Sequence, residues 1–505
     1  MRFPKLKKLQ TSVDIQTAFG GYRHTEDVPE GSFYDCENIS SDSYPLLSTR
    51  SPRAVWAAVQ TDSDGNTVDL EGVRWFEREG ITAAANVSDK IVLCSSKGIV
   101  YDGDYFPGGT LSAGVTNRMI VPFGRNFFIA PDGIYVTVSG SGAPAAAQTV
   151  CPRMDYAIEH NNRIWGCRYG DDGTGNFVNE LYACALGDPT DWSCFDGIST
   201  DSYRVSLGCS GAFTGVCRLG GDVLFFKEDS VIRVSGDTPA DFTVTVTPAE
   251  GVEAGAFRSV VNVNDRVFYK SRSGITAFDG VLPYCVSDAL GERRFSDVCA
   301  GTAGGRYYFA GTDPEGVRKI FVYDTEHRIW YKEDDAKDTR FFIYRKHCLY
   351  SICRELAFHV GLIPMSAYRF YIHDCRFAPD ACAIFTDEAD PSRTYFYQQE
   401  PRVRWFAETG RLTVAGPQSL QLRKLNIALK LEEGAKLRVE LKCDRDEEWR
   451  NAFFCDSEFS GAFTLPVRLP RCDSFRLRLS GEGGCVVHAI SRVYEKTGGV
   501  NLAGR

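Results

Sequence analysis

Short apolar runs rich in β-branched and aromatic residues, each followed by a polar turn and a second such run, recur along most of this chain. The unit is clearest in Asp89–Gly103 (DKIVLCSSKGIVYDG), Gly124–Val136 (GRNFFIAPDGIYV), Gly220–Gly236 (GGDVLFFKEDSVIRVSG) and Asn264–Gly280 (NDRVFYKSRSGITAFDG). The second run often opens with Gly-Ile. Further copies lie at His160–Trp192, Gly304–Tyr331 and His347–Leu362. The turn positions Gly98 and Gly133, and Ser230 and Gly274, lie about 35 and about 44 residues apart, close to the spacing of a four-stranded propeller repeat. The pattern predicts an all-β fold, a six- or seven-bladed β-propeller over residues 54–404. Within it, Pro364, Pro379, Pro391 and Pro401 interrupt short aromatic runs, so 363–404 reads as a connecting region.

From Trp405 the pattern changes. Leu437, Val439 and Leu441, and again Phe475, Leu477 and Leu479, alternate with charged residues. That period of two marks half-buried strands and predicts a C-terminal β-sandwich over 405–505. Residues 1–53 are rich in turn formers and carry no long periodic run. They read as an extended arm laid across a folded body, and such an arm can close a propeller by supplying an outer strand.

Composition narrows the function. The chain has 505 residues and a formal net charge of −9, the wrong sign for a dedicated nucleic-acid binder. It suits a protein that DNA passes without sticking. The start, MRFPKLKKLQ, is basic with no apolar segment after it, and no run reaches the ~18 apolar residues of a membrane helix. Synthesis in a cytoplasm, with no membrane partner, is expected. The 18 cysteines are scattered singly, so reduced, buried thiols are expected, with Cys94, Cys167 and Cys217 inside strand-like runs.

The candidate chemistry is thin. His347, Cys348, Cys353, His359, His373, Cys375 and Cys382 are soft ligands in one stretch, but their spacing fits no common zinc motif. Asp62–Asn66 and Asp171-Asp172-Gly173 lack the sixth-position Gly and twelfth-position Glu of a calcium loop and read as turns. Ser139–Pro144 lacks the Lys and following helix of a phosphate loop. Trp165, Trp192 and Trp330 read as core aromatics, with a carbohydrate platform as the sharper alternative. No metal, no cofactor and no catalytic set is expected.

Several motifs carry a resemblance. Gly31-Ser-Phe-Tyr-Asp-Cys-Glu37-Asn38 precedes Tyr44-Pro-Leu-Leu-Ser-Thr-Arg50. Asn162-Arg-Ile-Trp165 precedes Leu181-Tyr-Ala-Cys-Ala-Leu-Gly-Asp188-Pro189-Thr-Asp191-Trp192. Phe226–Arg233 and Ser273–Gly280 then follow in order, and the C-terminal part holds Thr409-Gly410, Arg423-Lys424 and Arg492–Gly499. In these the chain resembles the β-propeller tail nozzle, stopper or packaged-DNA stabilisation proteins of tailed bacteriophages and prophages. The resemblance implies a non-enzymatic virion protein of the head–tail junction or tail-tube end. It implies a homo-oligomeric ring around the DNA channel, docked on the portal or adaptor and other tail proteins. Glu37, Asn38 and Arg50 would brace the propeller, and Asp188, Pro189, Asp191 and Trp192 would form a structural turn. The competing readings are a carbohydrate- or receptor-binding tail-tip propeller and a propeller glycoside hydrolase. The hydrolase needs two carboxylates facing each other across a pocket.

Overall fold

The computed structural model describes residues 11–60, 81–95, 98–101, 104–106, 111–139, 144–291, 294–334, 339–353, 357–360, 363–366, 370–373, 382–386, 393–399, 402–413, 420–444, 446–467, 472 and 474–496. Among them the regular structure is almost entirely antiparallel strand, with two single-turn 3₁₀ segments at Phe257–Ser259 and Asp288–Leu290.

Six four-stranded sheets follow one another, each a meander of consecutive strands. They start at Ala83–Val87, Met119–Phe123, Tyr156–His160, Phe213–Leu219, Val261–Val263 and Ser296–Ala303 and are called the first to sixth sheets. A seventh sheet has the order Thr339–Arg345, Cys348–Cys353, Phe370–His373, Ala54–Gln60, Arg393–Gln399, Cys382–Thr386. The first strands of successive sheets lie side by side, and Thr339–Arg345 of the seventh lies against Ala83–Val87 of the first. The sheets therefore close radially, as in a β-propeller, which leaves few open edges.

Local chemistry explains the repeat. Every first-to-second strand link is a two-residue turn. Ser88-Asp89, Asn161-Asn162, Asn264-Asp265, Gly304-Gly305 and Lys346-His347 have positive φ at both residues, the type I′ pattern. Gly124 and Gly220 have positive φ at the first residue alone, the type II′ pattern that asks for glycine there. These turns match the right-handed twist of the strands they join. The second strands are apolar on both faces: Phe127, Phe128 and Ile129 are fully buried, as are Leu224, Phe225 and Phe226.

The chain ends build two further sheets of six strands each. One runs Ile39–Ser40, Leu47–Thr49, Cys485–Lys496, Leu420–Leu431, Phe459–Pro466, with Thr11–Gln16 also paired to Cys485–Lys496. The other runs Phe33–Glu37, Arg404–Thr409, Ser474–Glu482, Lys436–Cys443, Arg450–Cys455, with Leu412–Thr413 also on Ser474–Glu482. Leu425, Ile427 and Leu429 from one and Leu437, Val439, Leu477 and Leu479 from the other fall in one core, which continues into the sixth sheet through Phe309, Phe321 and Trp330.

The arm lies along the outer strand of the sixth sheet, but among the described residues it supplies no strand to the radial sheets. Its strands pair with the C-terminal strands, and the strand that enters the seventh sheet is Ala54–Gln60, just after it. The reason is apolar content: Phe19, Phe33, Cys36, Ile39 and Leu47 are all buried, so this polar-looking segment is core material at intervals too irregular to read as a strand pattern. The 363–404 stretch likewise contributes Phe370–His373, Cys382–Thr386 and Arg393–Gln399 to the seventh sheet.

Candidate functional site

Glu37, Asn38 and Arg50 lie together at the seam between the arm and the outer strand of the sixth sheet, Ile329–Asp334. Asn38 takes a left-handed conformation, φ 60, which Asn tolerates better than most residues. Its amide N–H donates to the Lys332 carbonyl at 2.8 Å, and its Nδ2 donates to the Arg404 carbonyl at 2.7 Å. Its Oδ1 accepts from Arg50 Nε at 2.8 Å and from the Asp334 N–H at 3.1 Å. Arg50 also meets Asp334 Oδ1 at 2.9 Å, and Arg53 meets Glu333 Oε2 at 2.7 Å. Burial alone would push the Asp334 carboxyl up, but Arg53 and Arg50 outweigh it and hold it below the usual range. Lys319 Nζ donates to Glu37 Oε2 at 2.6 Å, and Lys332 pairs with Asp35. Further along, Ser41 Oγ donates to Asp324 at 2.5 Å and Arg306 pairs with Asp42 at 2.7 Å. One side chain, Asn38, thus ties the arm, a C-terminal strand and the sixth sheet.

Asp188, Pro189, Asp191 and Trp192 lie elsewhere, on the third sheet. They belong to residues 184–202, the long link between its strands Phe177–Ala183 and Tyr203–Ser206. Trp192 is buried, its Nε1 donating to the Pro189 carbonyl at 2.9 Å and its ring lying 6.2 Å from that of Phe128 in the second sheet. Asp188 Oδ1 accepts from the Thr190 hydroxyl at 2.6 Å and amide at 2.9 Å, which holds its carboxyl below the usual range. Arg163, buried just after the Asn161-Asn162 turn, donates to the carbonyls of Cys184, Ser199 and Asp201 at 2.8, 2.7 and 2.5 Å. Asp201 in turn accepts from the Gly197 and Ile198 amides at 2.5 and 3.1 Å. Arg163 and Asp201 escape the sequence reading because nothing local marks a charged residue as an inward strut.

This rim loop leaves Phe195 and Ile198 exposed, at 60% and 56%, beside a groove of about 450 Å³ shared with Tyr203, Arg204 and Pro239. The ligating atoms of Cys194, Asp196 and Asp201 lie within 4.8 Å of one another. Burial, with the two carboxylates, pushes the Cys194 thiol up to about 11, so it stays protonated near neutral pH. Asp201 is committed to the loop amides.

The acidic residues beside the first strands meet arginines. Asp132 pairs with Arg118 at 2.6 Å, Asp155 with Arg168 at 2.5 Å and Glu159 with Arg218 at 3.0 Å. On the axis sits the turn Phe257–Ser259. Phe257 packs on Tyr156 of the third sheet, and Arg258 lies over Phe341 of the seventh. Arg258 Nη2 donates to the Thr82 and Thr116 carbonyls, ahead of the first and second sheets, at 3.1 and 3.2 Å. The same turn lies against the Phe213–Leu219, Arg266–Lys270 and Ser296–Ala303 strands of the remaining sheets. Only a group near the axis reaches all of them, so this turn sits where the seven sheets converge.

Asp171 and Asp172 accept from amides of their own turn, Gly173 and Thr174 at 2.6 and 2.8 Å. Trp165 and Trp330 are buried, so neither is an exposed platform. Cys94, Cys167 and Cys217 are buried strand thiols. His347 is exposed in its turn, whereas Asp62–Asn66, Gly140–Gly142, Cys375 and the side chains of Cys353, His359, His373 and Cys382 lie outside the described residues.

By its sheets the chain is an all-β protein of propeller architecture. No family model matches its sequence, and no curated protein matches it. Among solved structures it is similar to virginiamycin B lyase from Staphylococcus aureus, at 10% identity and a TM-score of 0.39, over 63% of this chain and 98% of that one. It is similar to AztD from Citrobacter koseri at 10% identity and 0.37, over 64% and 99%. A Trypanosoma rangeli sialidase gives 10% and 0.31, over 87% and 94%. Likeness at this level carries no activity across.

Proposed function

We propose that this chain is a structural subunit of a tailed-phage or prophage particle, one copy of a homo-oligomeric ring around the DNA path at the head–tail junction or tail-tube end. In this reading the radial sheets are seven blades and the two terminal sheets are a β-sandwich. The observation that carries it is the seam. Asn38 and Arg50 weld arm, C-terminal sheets and sixth sheet through buried hydrogen bonds, which suits a part whose work is holding geometry. The resemblance of the arm and of the Gly-Asp-Pro-Thr-Asp-Trp turn supplies the particle. Because the Phe257–Ser259 turn occupies the point where the sheets converge, the DNA path in this reading lies between subunits and not through a propeller. The net negative charge keeps that wall from binding phosphate. Portal or adaptor and neighbouring tail proteins are the partners. Cryo-EM of the particle tests this directly: the chain should form a ring on the head–tail axis, and density away from that axis would sink the reading.

A second reading, a receptor- or glycan-binding propeller, is favoured by the exposed Phe195 and Ile198 beside their groove. It predicts glycan-array binding by the purified chain that Phe195→Ala removes.

A further inference from the structure

We propose that Arg258 anchors an oxyanion-binding site at the mouth of the propeller axis, taking a ligand that bears a carboxylate or phosphate group. The inference is independent of the virion reading. Arg258 is half-buried, and among the described residues its only hydrogen bonds are the two long ones from Nη2 to carbonyls. Nη1 makes none, and Nε is buried without an acceptor. Arg118 differs, matched by Asp132 at 2.6 Å, whereas Arg163, whose Nε also lacks an acceptor, spends both terminal nitrogens on three carbonyls.

A guanidinium drawn out of water without a counter-charge is costly, and an anion relieves that cost. Burial holds this guanidinium below its ordinary range and the like charge of Arg340 adds to it, with Cys299 and Asp297 only partly opposing them. Arg340 Nη1 lies 3.7 Å from a largely exposed Asp297 carboxylate. The rings of Phe257 and Phe341, 5.2 and 4.5 Å from the guanidinium carbon, fix its plane. What results is a planar, pre-oriented guanidinium whose Nη1 is free to donate, a group that recognises carboxylate and phosphate. Thr116 beside it is exposed, which leaves the approach open.

The test uses the full chain, with inorganic phosphate and malonate as probes and sodium chloride at matched ionic strength as the control. Phenylglyoxal, which modifies accessible guanidinium groups, should label Arg258 in chloride, read by peptide mass spectrometry. Phosphate, malonate or both should protect it. Protection by one alone identifies the ligand group as phosphate or carboxylate. In calorimetric titration the protecting probe should bind at least about tenfold more weakly to Arg258→Gln, as expected for loss of a charge-assisted bond. Arg258→Lys keeps the charge and should lose the planar part of that affinity while folding normally. Labelling that neither probe reduces, or binding unchanged in both variants, would overturn the proposal.

Discussion

Asn161 and Asn162 show how single residues set this fold. Their φ angles are 50 and 56, a conformation open to Asn because its short amide bonds locally. Asn162→Val places a β-branched side chain there and should cost about 1–2 kcal/mol, whereas Asn162→Gly should be close to neutral. Shifts in urea midpoint measure both. Asp334 makes stability depend on pH. Its folded-state carboxyl is depressed by Arg53 and Arg50, against the push of burial. The stabilisation is therefore complete above the unfolded value of about 3.9 and is lost as pH falls from there through the lower folded value. Between pH 5 and pH 3 the wild type should lose more stability than Asp334→Asn, which has no proton to take up. Parallel losses in the two proteins would show that the pair contributes nothing through linkage.

At the scale of elements, the 184–202 link is a side chain-built insertion on an otherwise regular sheet. Trp192 fills the space against Phe128, and Arg163 holds the far end. Trp192→Ala should cost about 3–5 kcal/mol of local stability, as other large core truncations do. Amide exchange should speed up over 184–202 and in the second sheet near Phe128, and hardly at all in the sixth sheet. This element also shows what is legible in the sequence. Second and third strands are apolar on both faces, as in Val92-Leu93 and Phe127-Phe128, so the hairpin repeat is visible at once. Fourth strands such as Pro144–Gln148 and Thr243–Pro248 are largely exposed and carry no apolar signal, so the blades read as half their true width. The Gly-Asp-Pro-Thr-Asp-Trp turn stands out because its residues bond to one another. Arg163 and Arg258 do not, because their partners come from other elements or from across the ring.

At the scale of the whole molecule, the question is whether propeller and C-terminal sheets act as one body. Deleting residues 11–50 is a poor test. It removes strands from both terminal sheets and bares Phe33, Cys36 and Ile39, so it reports on folding alone. The seam can be weakened without touching that core. Arg50 is buried between Asn38 and Asp334, and Arg50→Met keeps its length while leaving Asp334 with only Arg53 to meet it. Because Asp334 is partly exposed and keeps Arg53, removing Arg50 should cost about 1–3 kcal/mol, the range for leaving a buried polar partner unmet. That loss falls on the junction and not on the interior of either part. Wild type should therefore unfold in one calorimetric transition and Arg50→Met in two, the propeller and the terminal sheets melting separately. A variant that still melts once, merely at lower temperature, would place the coupling in the continuous apolar core from Phe321 and Trp330 to Leu437, with the polar seam setting orientation alone. Either outcome decides which interaction transmits load from the arm to the ring of sheets, the property on which a role in holding geometry depends.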